Sequence, residues 1–251
     1  MKKNNATNNK ATMPAIEKIE QTDSAYPRRL LTVLKNKAPQ TLYLQGNIDL
    51  LELDGIGFCG SRKSSQKGID TVRDCAEQAA NAGLTVVSGN AAGIDFEAHY
   101  HALSANGTTI LVLPEGINHF RVKRALAPVW DWERTLVISQ FNPGDAWKGY
   151  RAMTRNQVII GLSKAMIVIE AGEKGGTMNA GTETLKRDTP LYVAEYQDMS
   201  VDARGNQKLL ELGGKRLARS RSTGRANMKN IFDDIAKDPA TSSQQDQIGL
   251  L

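Results

Sequence analysis

The sequence predicts an α/β fold: a doubly wound, mostly parallel sheet. Short apolar segments alternate with amphipathic segments along most of the chain, and the apolar segments are hydrophobic throughout, as in strands covered on both faces. The 251 residues are also enough to bury a core without metal or disulfide support. We therefore expect one domain over residues 23–236, with a disordered basic arm at 1–22 and a disordered tail at 237–251.

The individual elements follow from hydrophobic spacing. Strands are predicted from short apolar runs at residues 41–45, 56–59, 84–88, 109–113, 134–139, 165–170 and 190–194. Helices are predicted from apolar residues at helical spacing, such as Ile69, Val72 and Ala76. They lie at residues 30–34, 66–82, 94–104, 155–162, 178–187 and 206–212, and residues 121–130 are expected to be partly helical. Ligands of such sheets bind beyond the C-terminal ends of the strands.

The composition narrows the class of protein. Lysine and arginine outnumber aspartate and glutamate by 32 to 27, and this net charge of +5 suits a nucleic-acid partner. Cys59 and Cys75 lack metal-ligand spacing, so we expect reduced thiols in a cytoplasmic protein. Since no apolar run has membrane-spanning length, we predict no membrane contact, and we predict no metal site and no cofactor.

The most informative stretch runs from Val87 to Asp95. A buried strand is followed by small residues, which let the backbone turn sharply and come close to a ligand, and a helix begins at Ile94. Free N–H groups and the helix dipole at that N-terminus favour an anion, typically phosphate. The alternative is a tight turn that binds no ligand.

Loops after four of the strands carry glycines, hydroxyls, cations and an amide, which the fold would gather into one anion-binding cleft. Several of these residues also have a purely structural interpretation: Arg62, Lys148 and Arg151 as solvated charges, and Asn156 as a loop brace. The candidate binding residues are Gly60, Ser61, Arg62, Ser88, Gly89, Asn90, Gly93, Lys148, Arg151, Arg155, Asn156, Lys174, Gly175, Gly176 and Thr177.

Five motifs in this order resemble those of the DprA/Smf family of DNA-processing proteins, over residues 26–214. They are Gly60-Ser61-Arg62, residues 88–95 with Ala98-His99, residues 155–163, residues 170–177, and Gly205-Asn206 with Leu209. The resemblance implies an extended Rossmann fold that binds single-stranded DNA in a basic pocket, a homodimer, and transfer of DNA to the recombinase RecA. It also implies that Arg62 and Lys148 contact DNA phosphates and that Gly89, Gly93 and Asn156 line the pocket.

The sequence departs from the family pattern in three places. The family's base-stacking aromatic before the Arg-Asn pair is replaced by Ala152, with Tyr150 as a substitute nearby. Its Pro-Gly after the last strand is replaced by Glu195-Tyr196. The flanking helical module and winged helix are not found, so we expect a stand-alone core.

A fainter similarity supports an enzymatic alternative. Residues 175–177 and 181–183 resemble the glycine-rich motif of the LOG nucleotide phosphoribohydrolases, although the spacing differs. The cleft would then hydrolyse an N-glycosidic bond, in a nucleotide or, as a DNA glycosylase, in a base flipped out of foreign DNA. That chemistry needs carboxylates, and the candidates are Asp95, Glu170 and Glu183. Asp95 has a structural alternative, as a helix cap or a partner of Arg62 or His99. A nucleotide-sensing domain without catalysis is a third possibility.

Two further basic segments lie outside the cleft. Lys2, Lys3 and Lys10 in the arm would add non-specific affinity for DNA. The run from Lys215 to Arg225 is either a solvated loop or a second strip of DNA contact.

Overall fold

The computed structural model describes residues 13–196, 203–220 and 222–238. Its nine strands form one sheet: β1 Ile16–Glu20, β2 Thr41–Gly46, β3 Gly55–Cys59, β4 Thr85–Gly89, β5 Thr109–Val112, β6 Thr135–Ser139, β7 Ala165–Val168, β8 Leu191–Ala194 and β9 Lys215–Leu217. The α-helices of the described ranges are α1 Arg28–Leu34, α2 Gln66–Asn81, α3 Ile94–Ser104, α4 Gly149–Leu162, α5 Gly176–Leu185, α6 Arg204–Glu211 and α7 Lys229–Ala236.

The strand order is β1-β2-β6-β5-β4-β3-β7-β8-β9. All pairs from β6 to β9 are parallel, whereas β1 and β2 join antiparallel at one end. From β3 the chain first winds outward through β4 and β5, and later returns to place β7 on the other side of β3. The C-terminal ends of β3 and β7 therefore flank a topological switch point, where open α/β sheets bind their ligands.

Helices cover both faces of the sheet and make two large apolar clusters. One cluster joins side chains of α1, α4, α5 and α6 to one face, and the other joins side chains of α2, α3 and α7 to the opposite face. Residues of β3 to β8 are buried throughout, as the continuous apolar runs indicated. The predicted doubly wound, mostly parallel fold is confirmed.

Part of the predicted N-terminal arm belongs to the sheet. Ile16–Glu20, expected in a disordered arm, forms the edge strand β1, because it pairs antiparallel with β2 and buries Ile19. The sequence analysis also missed β9, two of whose three residues are charged, and α7, an amphipathic helix in which Ile231 and Ile235 are buried. Residues 1–12, with Lys2, Lys3 and Lys10, and residues 239–251 lie outside the described part of the chain.

Two helix predictions are also corrected. Residues 121–130 form consecutive turns rather than a partial helix, and Pro128 cannot donate a helical hydrogen bond there. Helix α4 begins at Gly149, six residues before the predicted start at Arg155. Its first turn therefore belongs to the segment that was expected to be a polar loop. Within residues 13–196, 203–220 and 222–238, no helix combines the length and apolarity that a membrane span requires.

Candidate nucleic-acid interface

A cavity of about 580 Å³ opens at the switch point, at the C-terminal ends of β3, β4 and β7. The loops after β3 and β7 form two of its walls, and the start of α4 forms a third. Its lining residues are Cys59, Gly60, Ser61, Arg62, Lys63, Ala91, Asp95, Gly149, Ala152, Met153, Arg155, Asn156, Gly172, Lys174, Gly176 and Thr177. Burial raises the pKa of the Cys59 thiol to about 12, so this cysteine is an unreactive part of the wall.

The turn after β3 is built by close contact with the start of α3. A Cβ on Gly60 would lie 2.4 Å from Ile94 Cγ1, and one on Gly93 would lie 2.3 Å from the Ser61 carbonyl oxygen. Gly93 also has a φ of 71°, which favours glycine. The Ile94 N–H donates to the Ser61 carbonyl at 3.2 Å. Backbone packing thus fixes the turn that presents Arg62 to the cavity.

The first turn of α3, where we expected phosphate to bind, carries a carboxylate of the protein itself. Asp95 Oδ2 accepts a hydrogen bond from the Ala91 N–H at 3.2 Å and from Arg155 Nη2 at 3.1 Å. Both side chains of the ion pair are more than nine-tenths buried. Helix capping is not supported, because Asp95 accepts no hydrogen bond from an N–H group of α3 and instead braces the loop before the helix. Its ionic partner is Arg155 rather than Arg62.

Arg155 explains the glycine at the end of β4. A Cβ on Gly89 would lie 1.4 Å from Arg155 Nη1, so the guanidinium occupies the space that any other side chain would need. Arg155 Nε has no hydrogen-bond partner among the described residues. Asn156 follows on the cavity side and donates from Nδ2 to the Gly176 carbonyl at 3.4 Å. This pair of residues therefore ties α4 to both sides of the switch point.

Two basic side chains, buried His99 and half-buried Lys123, hold the loop after β4. His99 Nε2 donates to the Gly89 carbonyl at 2.7 Å, and Nδ1 is hydrogen-bonded to the Thr109 hydroxyl at 2.6 Å. Burial lowers the pKa of His99 to about 4, so the ring is neutral at pH 7 and braces the fold. Lys123 Nζ donates to the carbonyls of Asn90 and Ala91 at 2.8 and 3.0 Å. The sequence analysis missed Lys123, which lies in a segment without a recognisable pattern.

The N-terminus of α5, in contrast to that of α3, is open to an external anion. Its first turn has no acidic residue and Gly175 gives no side-chain cap. The first backbone bond of the helix runs from the Asn179 N–H to the Gly175 carbonyl. The N–H groups of Gly176, Thr177 and Met178 consequently have no acceptor within the described part of the chain. Such groups at a helix start attract anions.

Three unpaired cations stand around this open helix end. Arg62, Lys63 and Lys174 line the cavity and are exposed, and none has an ion pair with a residue that the structure describes. Thr177 joins the two walls, because its hydroxyl donates to the Gly60 carbonyl at 3.0 Å. Arg62 and Lys174 were predicted as binding residues, whereas Lys63 was not, because the motif ends at Arg62.

Several predicted binding residues lie outside the cavity lining. Ser88 is buried and donates to the Phe58 carbonyl at 2.8 Å. Arg151 pairs with Asp145 at 3.1 Å and lies over the Phe141 ring, which leaves its charge engaged within the loop. Lys148 is exposed at the N-cap of α4. Gly89 and Asn90 also lie outside the lining. Their carbonyl oxygens accept hydrogen bonds from His99 and Lys123.

The three candidate carboxylates do not converge. Glu170 is buried and accepts from the Ser65 N–H at 3.0 Å and from the Ser65 hydroxyl, at the start of α2. Glu183 pairs with Lys186 and Arg187, whose hydrogen bonds lower its pKa to about 2. Asp95 alone lines the cavity, and it is ion-paired. The described residues therefore assemble no pair of carboxylates for glycosidic hydrolysis.

The second basic run is mostly occupied by ion pairs. Lys215 pairs with Asp234, Arg216 pairs with Glu195 at 2.8 Å, and Arg225 pairs with Asp74. Lys215 and Arg216 belong to β9, whereas a loop was expected. Arg221 lies outside the described residues. In the described part of the run, Arg219 keeps an exposed charge without an ion pair.

Exposed apolar side chains gather where α4 begins. Trp147 and Tyr150 are 55% and 57% exposed, and Met153 is 46% exposed. The Trp147 ring lies 3.9 Å from the position of a Cβ on Gly149, a residue of the cavity lining. A large aromatic beside a basic cavity suits stacking on a nucleobase. Sequence reasoning named Tyr150 but missed Trp147, although a lone tryptophan in a polar loop was a usable signal.

Comparison with known proteins agrees with this geometry. The family model described as DNA recombination-mediator protein A matches residues 17–225. The DNA processing protein DprA of Streptococcus pneumoniae is 30% identical over 195 residues, which are 77% of this chain and 68% of that protein. Its X-ray structure gives a TM-score of 0.73 at 28% identity, over 80% of this chain and 71% of that one.

Two other relatives extend the comparison. Protein Smf of Synechocystis sp. is 34% identical over 162 residues, which are 62% of this chain but 40% of that protein, so the chain spans less than half of it. DNA processing protein A of Helicobacter pylori, whose structure concerns its single-stranded DNA binding mode, shares the fold with a TM-score of 0.68 at 24% identity. That match covers 88% of this chain and 94% of the other. Since the family model covers most of the sequence, the resemblance to DprA/Smf is confirmed, and the chain belongs to the DNA recombination-mediator protein A family.

Proposed function

We propose that this protein binds single-stranded DNA in the switch-point cavity, as a DNA-processing protein. The observation that carries the proposal is the pairing of three unpaired cations with the three free N–H groups of the α5 N-terminus, around one opening. Cations and oriented N–H groups are the standard ligands of phosphate, and a phosphodiester backbone brings several phosphates to such a surface.

The exposed aromatics favour a single strand over a duplex. In a duplex the bases are stacked on each other, whereas a single strand can place a base on Trp147 or Tyr150. The Helicobacter pylori relative is described as binding single-stranded DNA, which agrees with the proposal. A cytoplasmic location fits this function.

Homodimer formation and transfer of DNA to a RecA-like recombinase belong to the proposal as its less direct parts. Membership of the family supports both, whereas no surface described above does. Size-exclusion chromatography with light scattering tests the dimer. Pull-down of a purified recombinase in the presence and absence of single-stranded DNA tests the partner.

The DNA proposal is tested by removing one positive charge at the cavity and, as a control, one at the opposite end of α5. Arg62→Ala removes a cavity cation, and we expect weaker binding with a salt slope smaller by about 1, as for the loss of one phosphate contact. Lys186→Ala is the matched control, because Lys186 is 69% exposed at the opposite end of α5. Fluorescence anisotropy of a labelled 20-nucleotide single strand, titrated at several salt concentrations with duplex competitor, measures both.

The outcomes separate clearly. Unchanged Lys186→Ala binding together with a reduced slope for Arg62→Ala supports the cavity as the phosphate site. Equal slopes for the two variants and the wild-type protein would place the DNA elsewhere, and better competition by duplex than by single strand would contradict strand selectivity.

A further inference from the structure

The floor and the rim of the cavity have opposite hydrogen-bonding character. The rim carries the exposed cations Arg62, Lys63 and Lys174. The floor carries the buried side chains of Asp95 and Asn156. A ligand that fits both levels must present an anion outward and hydrogen-bond donors inward.

The two floor residues each offer an oxygen acceptor without a donor. Both hydrogen bonds received by Asp95 fall on Oδ2, which leaves Oδ1 without a donor among the described residues. The donation from Asn156 Nδ2 to the Gly176 carbonyl fixes the orientation of the amide. Asn156 Oδ1 therefore lies on the other side of the amide, and it too receives no hydrogen bond from the described residues.

These acceptors identify which part of DNA enters the cavity. In an internal deoxynucleotide the phosphate and the sugar carry no hydrogen-bond donor, so only the base can donate. Adenine, cytosine and guanine have an exocyclic amino group, whereas thymine presents carbonyl oxygens beside its single N–H. If the two carbonyls of thymine faced Asp95 and Asn156, hydrogen-bond acceptors would lie against acceptors and no hydrogen bond would form.

The cavity has room for a base at this depth. Its volume of about 580 Å³ is within the usual range for small-molecule sites. Four of its lining residues are small: Gly60, Gly149, Ala152 and Gly176. A Cβ on Gly176 would meet no atom within 4 Å, and one on Gly149 would meet only Trp147 at 3.9 Å. Neither wall therefore closes over the floor.

From this polarity we propose that the cavity admits one unstacked base and selects amino-bearing bases over thymine, with Asn156 Oδ1 and Asp95 Oδ1 as acceptors. Phosphates on either side of that nucleotide lie on the cations of the rim. This inference rests on the proposed function and adds a base preference to it. Asn156 is the better residue to test, since Asp95 also neutralises buried Arg155.

The test compares three labelled 12-nucleotide single strands: oligo(dC), oligo(dT), and an oligomer of 2′-deoxyzebularine, a cytosine analogue with hydrogen in place of the amino group. Anisotropy titrations of the full chain should show oligo(dC) binding about fivefold or more tighter than the other two, the factor expected for one hydrogen bond. In Asn156→Ala the ratio of oligo(dC) affinity to oligo(dT) affinity should fall to about one, because the acceptor that distinguishes the two bases is lost. Asn156→Asp keeps an acceptor oxygen, so it should retain the preference although its added negative charge weakens binding overall.

Each contrary result has one meaning. Equal affinity for all three strands, with normal sensitivity to Arg62→Ala, would overturn base selection and leave the proposed function standing. A preference that persists in Asn156→Ala would overturn the role of Asn156 in reading the base. Failure of every strand to bind would instead overturn the proposed function itself.

Discussion

Helices α3 and α5 both begin beside the cavity, and both follow a glycine with positive φ, Gly93 at 71° and Gly175 at 107°. Their N-termini nevertheless serve different ends. The first turn of α3 contains Asp95, which pairs with Arg155 and accepts from the Ala91 N–H just before the helix, so this end is filled by the protein's own negative charge. The first turn of α5 contains no acidic residue and leaves its N–H groups open. A glycine-rich turn thus prepares a helix start, and the residue in the first turn decides whether an external anion can use it.

The largest effect on stability should come from removing the Asp95 carboxylate at the filled end of α3. Asp95→Ala leaves the Arg155 guanidinium buried without its counter-charge, and we expect a loss of about 3–5 kcal/mol in the free energy of unfolding. Thr177→Val is the matched change at the open end. It removes one hydroxyl hydrogen bond to Gly60, at a cost of about 1 kcal/mol. Urea unfolding of the wild-type protein and both variants measures this contrast, and similar losses in the two variants would contradict it.

A pH dependence of stability should follow from the neutral histidine behind the filled end. The unfolded chain protonates His99 near pH 6.5, whereas the folded chain does so only near pH 4. Stability is therefore complete above pH 6.5 and falls as the pH drops from 6.5 towards 4, by up to about 3 kcal/mol. Urea midpoints at pH 7, 6 and 5 measure this fall.

His101 provides the control for that experiment. Burial also lowers its pKa, but it is only half-buried and pairs with Glu97. His99→Gln should flatten the pH dependence more than His101→Gln does. A dependence that is unchanged by His99→Gln would show that other groups carry it.

The smallest effect should come from removing one N–H at the open end of α5, and it should change DNA binding without changing stability. Gly176→Pro removes one free N–H at the first position of α5, where proline is compatible with a helix. Gly176→Ala keeps the N–H, and its Cβ meets open space. We expect Gly176→Pro to weaken single-strand binding by about 1 kcal/mol, with Gly176→Ala unchanged and both variants as stable as the wild-type protein. Equal binding by the two variants would remove this N–H from the phosphate site.

Much of the fold was predictable because its signals are local. The continuous apolar runs of β3 to β8 and the helical spacing on α2 describe buried elements whatever their neighbours are. The edge strands β1 and β9 were missed for the converse reason. Their residues are mostly exposed, and only pairing with β2 and β8 makes them strands.

The site was less predictable, because its chemistry depends on which charges meet. The sequence places Asp95, Arg151 and Arg155 near strand ends, but it does not say that Asp95 neutralises Arg155 or that Arg151 is taken by Asp145. Lys123 lies in a run of turns, so nothing local connected it with the loop after β4. The free cations are those left after such pairing, and the pairing is a property of the tertiary structure.

The pairing of β3 with β7 has a consequence for how the site forms. The two strands are neighbours in the sheet although about a hundred residues separate them in sequence, and long-range pairing of this kind forms slowly because a large loop must close first. Arg62 follows β3 and Lys174 follows β7, so the two cations come close together only after these strands have paired. A bound strand that spans them favours the folded chain over every partly folded form, so DNA would act as a folding ligand and protect the whole domain against proteolysis.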